Sequence, residues 1–164
     1  KQNYVKMISS ARRSVFIQSP YFIPDASVME ALKIATLSGI DVRIMIPNMP
    51  DHPFVYWATY CHVGELLKYG VKIYTYENGF LHSKTMVVDE TIASVGTANF
   101  DVRSFKLNFE VNALIYNSEV SSKLQQTFID DIDLCFELTR ELYLERRWTV
   151  KFKESVSRLL SPLL

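Results

Sequence analysis

Apolar positions along the chain follow two rhythms: short continuous runs rich in β-branched and aromatic residues, and longer stretches that repeat every three to four residues. Val15-Phe16-Ile17 is the first run and predicts a buried strand ending at Pro20. Asp25 or Ser27 then caps a helix whose Val28, Ala31, Leu32 and Ala35 share one face, with Gly39 where a left-handed C-terminal residue belongs. Val42 to Ile46 is the next strand, stopped by Pro47 and Pro50. A second helix runs from Pro53 to Tyr69 and is followed by Gly70, and Val71 to Tyr76 is a third strand. Lys84 to Asp89 and Ile92 to Val95 are separated only by Asp89-Glu90-Thr91, a spacing that predicts a sharp reversal. Glu110 to Tyr116 gives a last strand. From Ser118 onwards Val120, Leu124, Phe128 and Ile132 recur every four residues, and the remainder, through Arg146-Arg147-Trp148 to Leu159-Leu160, reads as further, more loosely anchored helix.

Strands alternating with helices predict an α/β protein with a mixed β-sheet flanked by helices on both faces. The chain carries no internal repeat, low-complexity stretch or linker, so residues 1–164 read as one domain. Its 48% hydrophobic and 22% charged content rules out a disordered tail. Eighteen basic residues balance eighteen acidic ones, and that zero net charge weighs against a nucleic-acid partner, which favours a basic excess. Cys61 and Cys135 share no metal-ligand spacing, so no metal is expected, and two lone thiols point to a reducing compartment. No apolar run approaches the roughly 20 residues of a membrane span. Lys1 in place of Met reads as the start of a fragment.

Chemistry concentrates in Phe80-Leu81-His82-Ser83-Lys84-Thr85-Met86-Val87-Val88-Asp89. On a strand, His82 and Lys84 would project from one side: an imidazole able to attack phosphorus or move a proton, beside a cation able to stabilise non-bridging oxygens. Asp89 has the opposite parity and is expected to hold the turn or pair behind the site. Gly96-Thr97-Ala98-Asn99 follows a strand, and Asp101 to Phe105 resembles a helix start. Backbone N–H groups there, with the Asn99 amide, would make a phosphate cradle. Glu110 is placed to accept from the His82 ring and set its tautomer.

His82-x-Lys84-x4-Asp89 resembles the HKD motif of the phospholipase D superfamily, and Gly-Thr-x-Asn and Glu110 fall where that family has a phosphate-contacting Asn and a histidine-pairing carboxylate. Ser19 to Pro24, Asp41 to Asp51-His52, Gly79 to His82, Ala93 to Phe109 and Arg158 to Leu164 are similar, further, to bacterial cardiolipin synthases, and the last implies a natural C-terminus. The resemblance implies a phospholipase-D-like fold and no cofactor. It also implies half a site, since two HKD motifs meet across a pseudo-two-fold interface. The other half would be an N-terminal region of the same parent chain, preceded by membrane segments, or a second copy. The implied reaction passes a phosphatidyl group through a phosphohistidine to a second phosphatidylglycerol, giving cardiolipin and glycerol, at the cytoplasmic face of a bacterial membrane. His82 would be general acid and base, Lys84, Asn99 and Thr97 would hold phosphate, and Glu110 would orient His82.

The plainer readings stand beside these. An H-x-K-x4-D match arises by chance in about one chain in a hundred of this length; joined to Gly-Thr-x-Asn and a placed Glu, chance explains little. His52 and His62 read as surface or capping residues. Phe54, Tyr56, Trp57 and Tyr60 read as helix core or partner contact before lipid groove, and Arg146-Arg147-Trp148 as a solvated helix end before a headgroup contact. A single-motif homodimeric phosphodiesterase or nuclease is the alternative enzyme, and a non-catalytic docking domain the third reading.

Overall fold

All five residues of β1 (Ser14–Gln18) are buried, as befits a strand paired and covered on both sides. A computed structural model describes residues 1–49 and 51–160; the stop expected at Pro50 and the resemblance over 158–164 fall outside the described side chains. Around β1 the chain runs α1 (Gln2–Ser10), β2 (Phe22–Ile23), α2 (Ala26–Leu37), β3 (Asp41–Pro47), α3 (Pro53–Leu66) and β4 (Lys72–Tyr76). It continues through β5 (Thr85–Val88), β6 (Ile92–Gly96), β7 (Phe100–Asp101), α4 (Val102–Lys106), β8 (Asn112–Ile115), α5 (Ser118–Ile132), β9 (Cys135–Leu138), α6 (Arg140–Leu144) and α7 (Trp148–Leu160).

Seven strands form one mixed sheet in the order β8-β6-β5-β1-β3-β4-β9, and β2 pairs with β7 in a separate two-stranded ribbon. β1, β3 and β4 are parallel, joined by the α2 and α3 crossovers; the β5–β6 hairpin runs antiparallel to β1. Alternation splits the core. Ile17, Ile44, Ile73 and Met86 face α1, α2 and α3, while Phe16, Met45 and Tyr74 meet Phe128 of α5 and Leu81 on the other face. The expected sandwich of helices on both faces is the observed one. Phe22 and Phe100 are fully buried under the β2–β7 ribbon, each contributing roughly 1.5–3 kcal/mol.

Asp25 caps α2 by accepting from the Val28 N–H (3.2 Å). The reversal after β5 has Asp89 and Glu90 both at positive φ (53° and 58°), as the primed hairpin turns require. The inward face of α5 is rotated from the expected row: Ser121, Gln125 and Phe128 point in, and Gln125 donates to Glu90 (2.8 Å) at that turn. Residues 135–138, expected to be helical, form the edge strand β9 against β4, which supplies the pairing that local periodicity cannot signal. The helix α1 was not anticipated; Tyr4, Met7 and Ile8 are its buried face. Cys61 and Cys135 are both half-buried and form no disulfide.

Candidate active site

Three segments leave the sheet at the same end and are laced together there. The Gly96 N–H donates to the Lys84 carbonyl (3.3 Å), which sets the exit of β6 beside the entry to β5. A methyl group at Gly96 would overlap the Val111 carbonyl oxygen, so only glycine allows this approach. The Ser19 hydroxyl, just past β1, accepts from the Phe100 N–H (3.0 Å) and donates to the Tyr21 carbonyl (2.7 Å). β2 and β7 complete the tie, with Ile23 opposite Asp101.

His82 and Lys84 lie ahead of β5 rather than within it. Both neighbouring strands stop here, β1 at Gln18 opposite Thr85 and β6 at Gly96, and past the Gly96–Lys84 bond no ladder extends over residues 81–83. Side-chain alternation on a strand therefore does not set their geometry; Lys84 Nζ donates instead to the carbonyl of His82 itself (2.8 Å). The His82 ring is exposed, with the Phe80 ring 5.9 Å away and tilted by 33°. Burial lowers the Lys84 pKa, opposed by the negative charges of Glu110 and Asp101. Those two carboxylates and one ammonium thus share a field at the rim of the site.

Asn99 lies within this group. Its Oδ1 is buried without a hydrogen-bond partner, a state that costs about 1–3 kcal/mol unless a donor arrives. Its neighbour Asp101 is only 4% exposed and caps α4 by accepting from the Ser104 N–H (2.5 Å). Burial raises the Asp101 pKa, while hydrogen bonds from Ser104 and the Asn99 side chain partly counter it. Asp101 was read from sequence only as a helix start; its place beside Lys84 was missed, although Asp followed three residues later by Ser was visible as a cap.

Two expectations do not hold in this geometry. The backbone N–H groups of residues 97–100 are already consumed: Thr97 by the Val111 carbonyl, Ala98 by Asn112 Oδ1, Asn99 by Ser104 Oγ and Phe100 by Ser19 Oγ. They form no phosphate cradle, because the loop spends them on its own shape, and side chains are left to meet an anion. Nor does Glu110 bond His82: its carboxylate accepts from Asn108 Nδ2 (3.1 Å). Thr97, exposed, uses its hydroxyl to accept from the Val111 N–H (3.0 Å).

Asp89 stands at the other end of β5. Its carboxylate accepts from the backbone N–H groups of Arg12, Arg13 and Ser14, each at 2.8 Å. Burial acts to raise its pKa, but the N–H groups of Ser14, Arg12 and Arg13 outweigh it and hold the carboxyl below its ordinary range. His52 is exposed before α3, and the His62 ring meets the Ala58 carbonyl (2.8 Å) on that helix.

Residues 4–132 match the family model described as cardiolipin synthase, phospholipase-D-like domain. The chain belongs to that family. It is 62% identical over all 164 residues to the major cardiolipin synthase ClsA of Bacillus subtilis, and 60% identical to cardiolipin synthases of Listeria monocytogenes and Staphylococcus aureus. The cardiolipin-synthase domain spans about a third of the length of these relatives, 34% for the first. Its fold is that of Nuc, a phospholipase D family member from Salmonella typhimurium (TM-score 0.73, 21% identity, 84% of this chain and 90% of that one). It is likewise that of the phosphatidylserine synthase of Haemophilus influenzae (TM-score 0.74, 16% identity, 97% and 41%).

Proposed function

We propose that this domain is the second catalytic half of a two-motif enzyme that makes cardiolipin and glycerol from two phosphatidylglycerol molecules. The observation that carries the reading is the open His82–Lys84 end: an exposed imidazole two residues from a half-buried lysine whose ammonium is bonded to the carbonyl of His82. A histidine of the N-terminal half attacks phosphorus and forms the phosphohistidine, while His82 protonates the departing glycerol oxygen. His82 then takes the proton from the incoming glycerol hydroxyl, whose oxygen attacks phosphorus and frees the nucleophile. Lys84 and the Asn99 Nδ2 group donate to the phosphoryl oxygens, Asn99 Oδ1 finds its own donor in the completed site, and Glu110 turns to His82 there.

An apolar strip supports the missing half. Leu107, Phe109 and Val111 stand exposed on alternate positions flanking Glu110, as surfaces that meet a partner do. The covering partner is the N-terminal half of the parent chain. The enzyme works at the cytoplasmic face of the membrane, a reading supported by two cysteines that form no disulfide; no described helix is long and apolar enough to cross one.

A homodimeric phosphodiesterase is the second reading, favoured by one observation: the fold covers 90% of Nuc, so one such domain can be a whole chain. Zero net charge and the carboxylates around Lys84 disfavour a polyanionic substrate. The test is phosphatidylglycerol turnover by the intact parent protein, wild type against His82→Ala. Cardiolipin made by the first and lost in the second is expected. Cardiolipin from the mutant, or from the 164-residue chain as a monomer, would sink the two-half reading.

A further inference from the structure

The last helix turns an apolar row outward. Among the described side chains of α7 the fully buried ones are polar, Glu154 at 4% exposure and Ser157 at 1%, with Val150 half-buried beside them, while Trp148 (77%), Phe152 (64%) and Val156 (38%) line the outer side at spacings of four. An amphipathic helix on a water-soluble surface presents the reverse. The orientation is held from within. Arg146 forms an ion pair with Glu154, and the Tyr143 hydroxyl reaches the same carboxylate (3.4 Å). The Arg146 guanidinium also stacks 3.3 Å from the Tyr143 ring centre. Tyr143 in turn sits against α3 at Gly64, where a methyl group would collide with its ring. Rotating α7 to hide its apolar row would tear a buried carboxylate from its cation, which is strongly unfavourable.

Between α7 and α3 lies an open groove of about 300 Å³ lined by Phe54, Trp57, Phe152 and Val156, with Lys153 Nζ 5.5 Å from the Trp57 ring centre. Arg147, Lys151 and Lys153 are exposed and flank the apolar row. Glu154, which would cancel part of that charge, is turned inward. An apolar row carrying a tryptophan and bordered by cations matches one occupant, the headgroup–acyl boundary of an anionic bilayer. A protein groove would need no such border.

We propose that α7, with Phe54 of α3, is a membrane-docking surface that inserts Trp148 and Phe152 into the interface of anionic lipid while Arg147, Lys151 and Lys153 meet the headgroups. The surface is independent of the His82 site, so its test needs no turnover. The 164-residue chain is floated with vesicles of phosphatidylcholine containing phosphatidylglycerol, and with phosphatidylcholine alone. Binding to the anionic vesicles is expected, weakened at least tenfold by Trp148→Ser with Phe152→Ser, and weakened by high salt. Leu107→Ser with Phe109→Ser, on the other apolar strip, should leave binding within twofold. The paired serines replace exposed side chains, and an unchanged thermal midpoint verifies folding. A third variant, Lys151→Glu with Lys153→Glu, keeps the apolar row and should also lose anionic binding. The proposal is overturned by equal binding to both vesicle types, by full binding of the serine variant, or by no vesicle binding at all.

Discussion

The two ends of the segment from His82 to Asp89 are treated oppositely by the fold. At the Asp89 end every polar group is engaged: three backbone N–H groups on one carboxylate, the Arg13 side chain on its carbonyl (2.9 Å), and Glu90 accepting from Gln125. At the His82 end the imidazole is exposed, the lysine has only a neighbouring carbonyl, and Asn99 Oδ1 is unpartnered. A satisfied group stabilises the native state and has nothing left for a ligand; an unsatisfied one costs stability and is available. Asp89 therefore acts on phosphate only through the strand it anchors, four residues of β5 and on the order of 15 Å of extended chain away from Lys84.

The sharpest test of that contrast is at the open end. His82→Ala in the intact parent should lower phosphatidylglycerol turnover about 10²–10⁴-fold, while the domain's unfolding free energy stays within about 0.5 kcal/mol. Lys84→Ala should cost turnover about 10²–10³-fold by removing the cation from the developing charge, again with little change in unfolding by denaturant. A large stability loss with either substitution would mean that this end, too, is structural.

The closed end should give the converse. Asp89→Ala strands three N–H groups at the start of β1 and should destabilise by roughly 2–3 kcal/mol, measured by chemical denaturation. Turnover per folded molecule should fall far less than for His82→Ala. The sign of the pH dependence follows from the lowered pKa of Asp89. Its stabilisation is present above the unfolded carboxyl pKa of about 3.9 and is lost as pH falls through the lower folded value. The Asp89→Asn protein should lack that component of the acid slope, and an unchanged slope would locate the acid sensitivity elsewhere.

The same contrast explains what the sequence could disclose. Val15-Phe16-Ile17, Val42 to Ile46 and the turn at Asp89-Glu90 were legible because their cause is local: buried β-branched runs, and a reversal too short for a crossover. The strand β9 was not, because three of its four residues are incompletely buried and its pairing partner β4 is about sixty positions earlier. The residue types His82, Lys84 and Asn99 announced phosphoryl chemistry, but their local geometry did not follow from spacing. Strand parity does not apply at His82, because the two neighbouring strands end there. The backbone cradle failed because four N–H groups find partners at Val111, Asn112, Ser104 and Ser19, contacts only the folded chain creates.

The smallest expected effect is also the finest probe of the closed end. Glu90 accepts from Gln125 Nε2 (2.8 Å), so the turn is tied to the inward face of α5 as well as to β1. Glu90→Gln keeps the shape and an acceptor oxygen but removes the charge that strengthens the bond. The expected loss is roughly 0.5–1 kcal/mol, because a charge-assisted bond becomes a neutral one. Turnover in the parent should be unchanged, since β5 and its anchor at Asp89 remain in place. The pair Glu90→Gln with Gln125→Ala should cost less than the two single changes added together, as residues sharing one bond do. Strict additivity would mean that Gln125 is held inward by its packing and by the Ser14 hydroxyl, 3.4 Å from its Oε1, and not by Glu90.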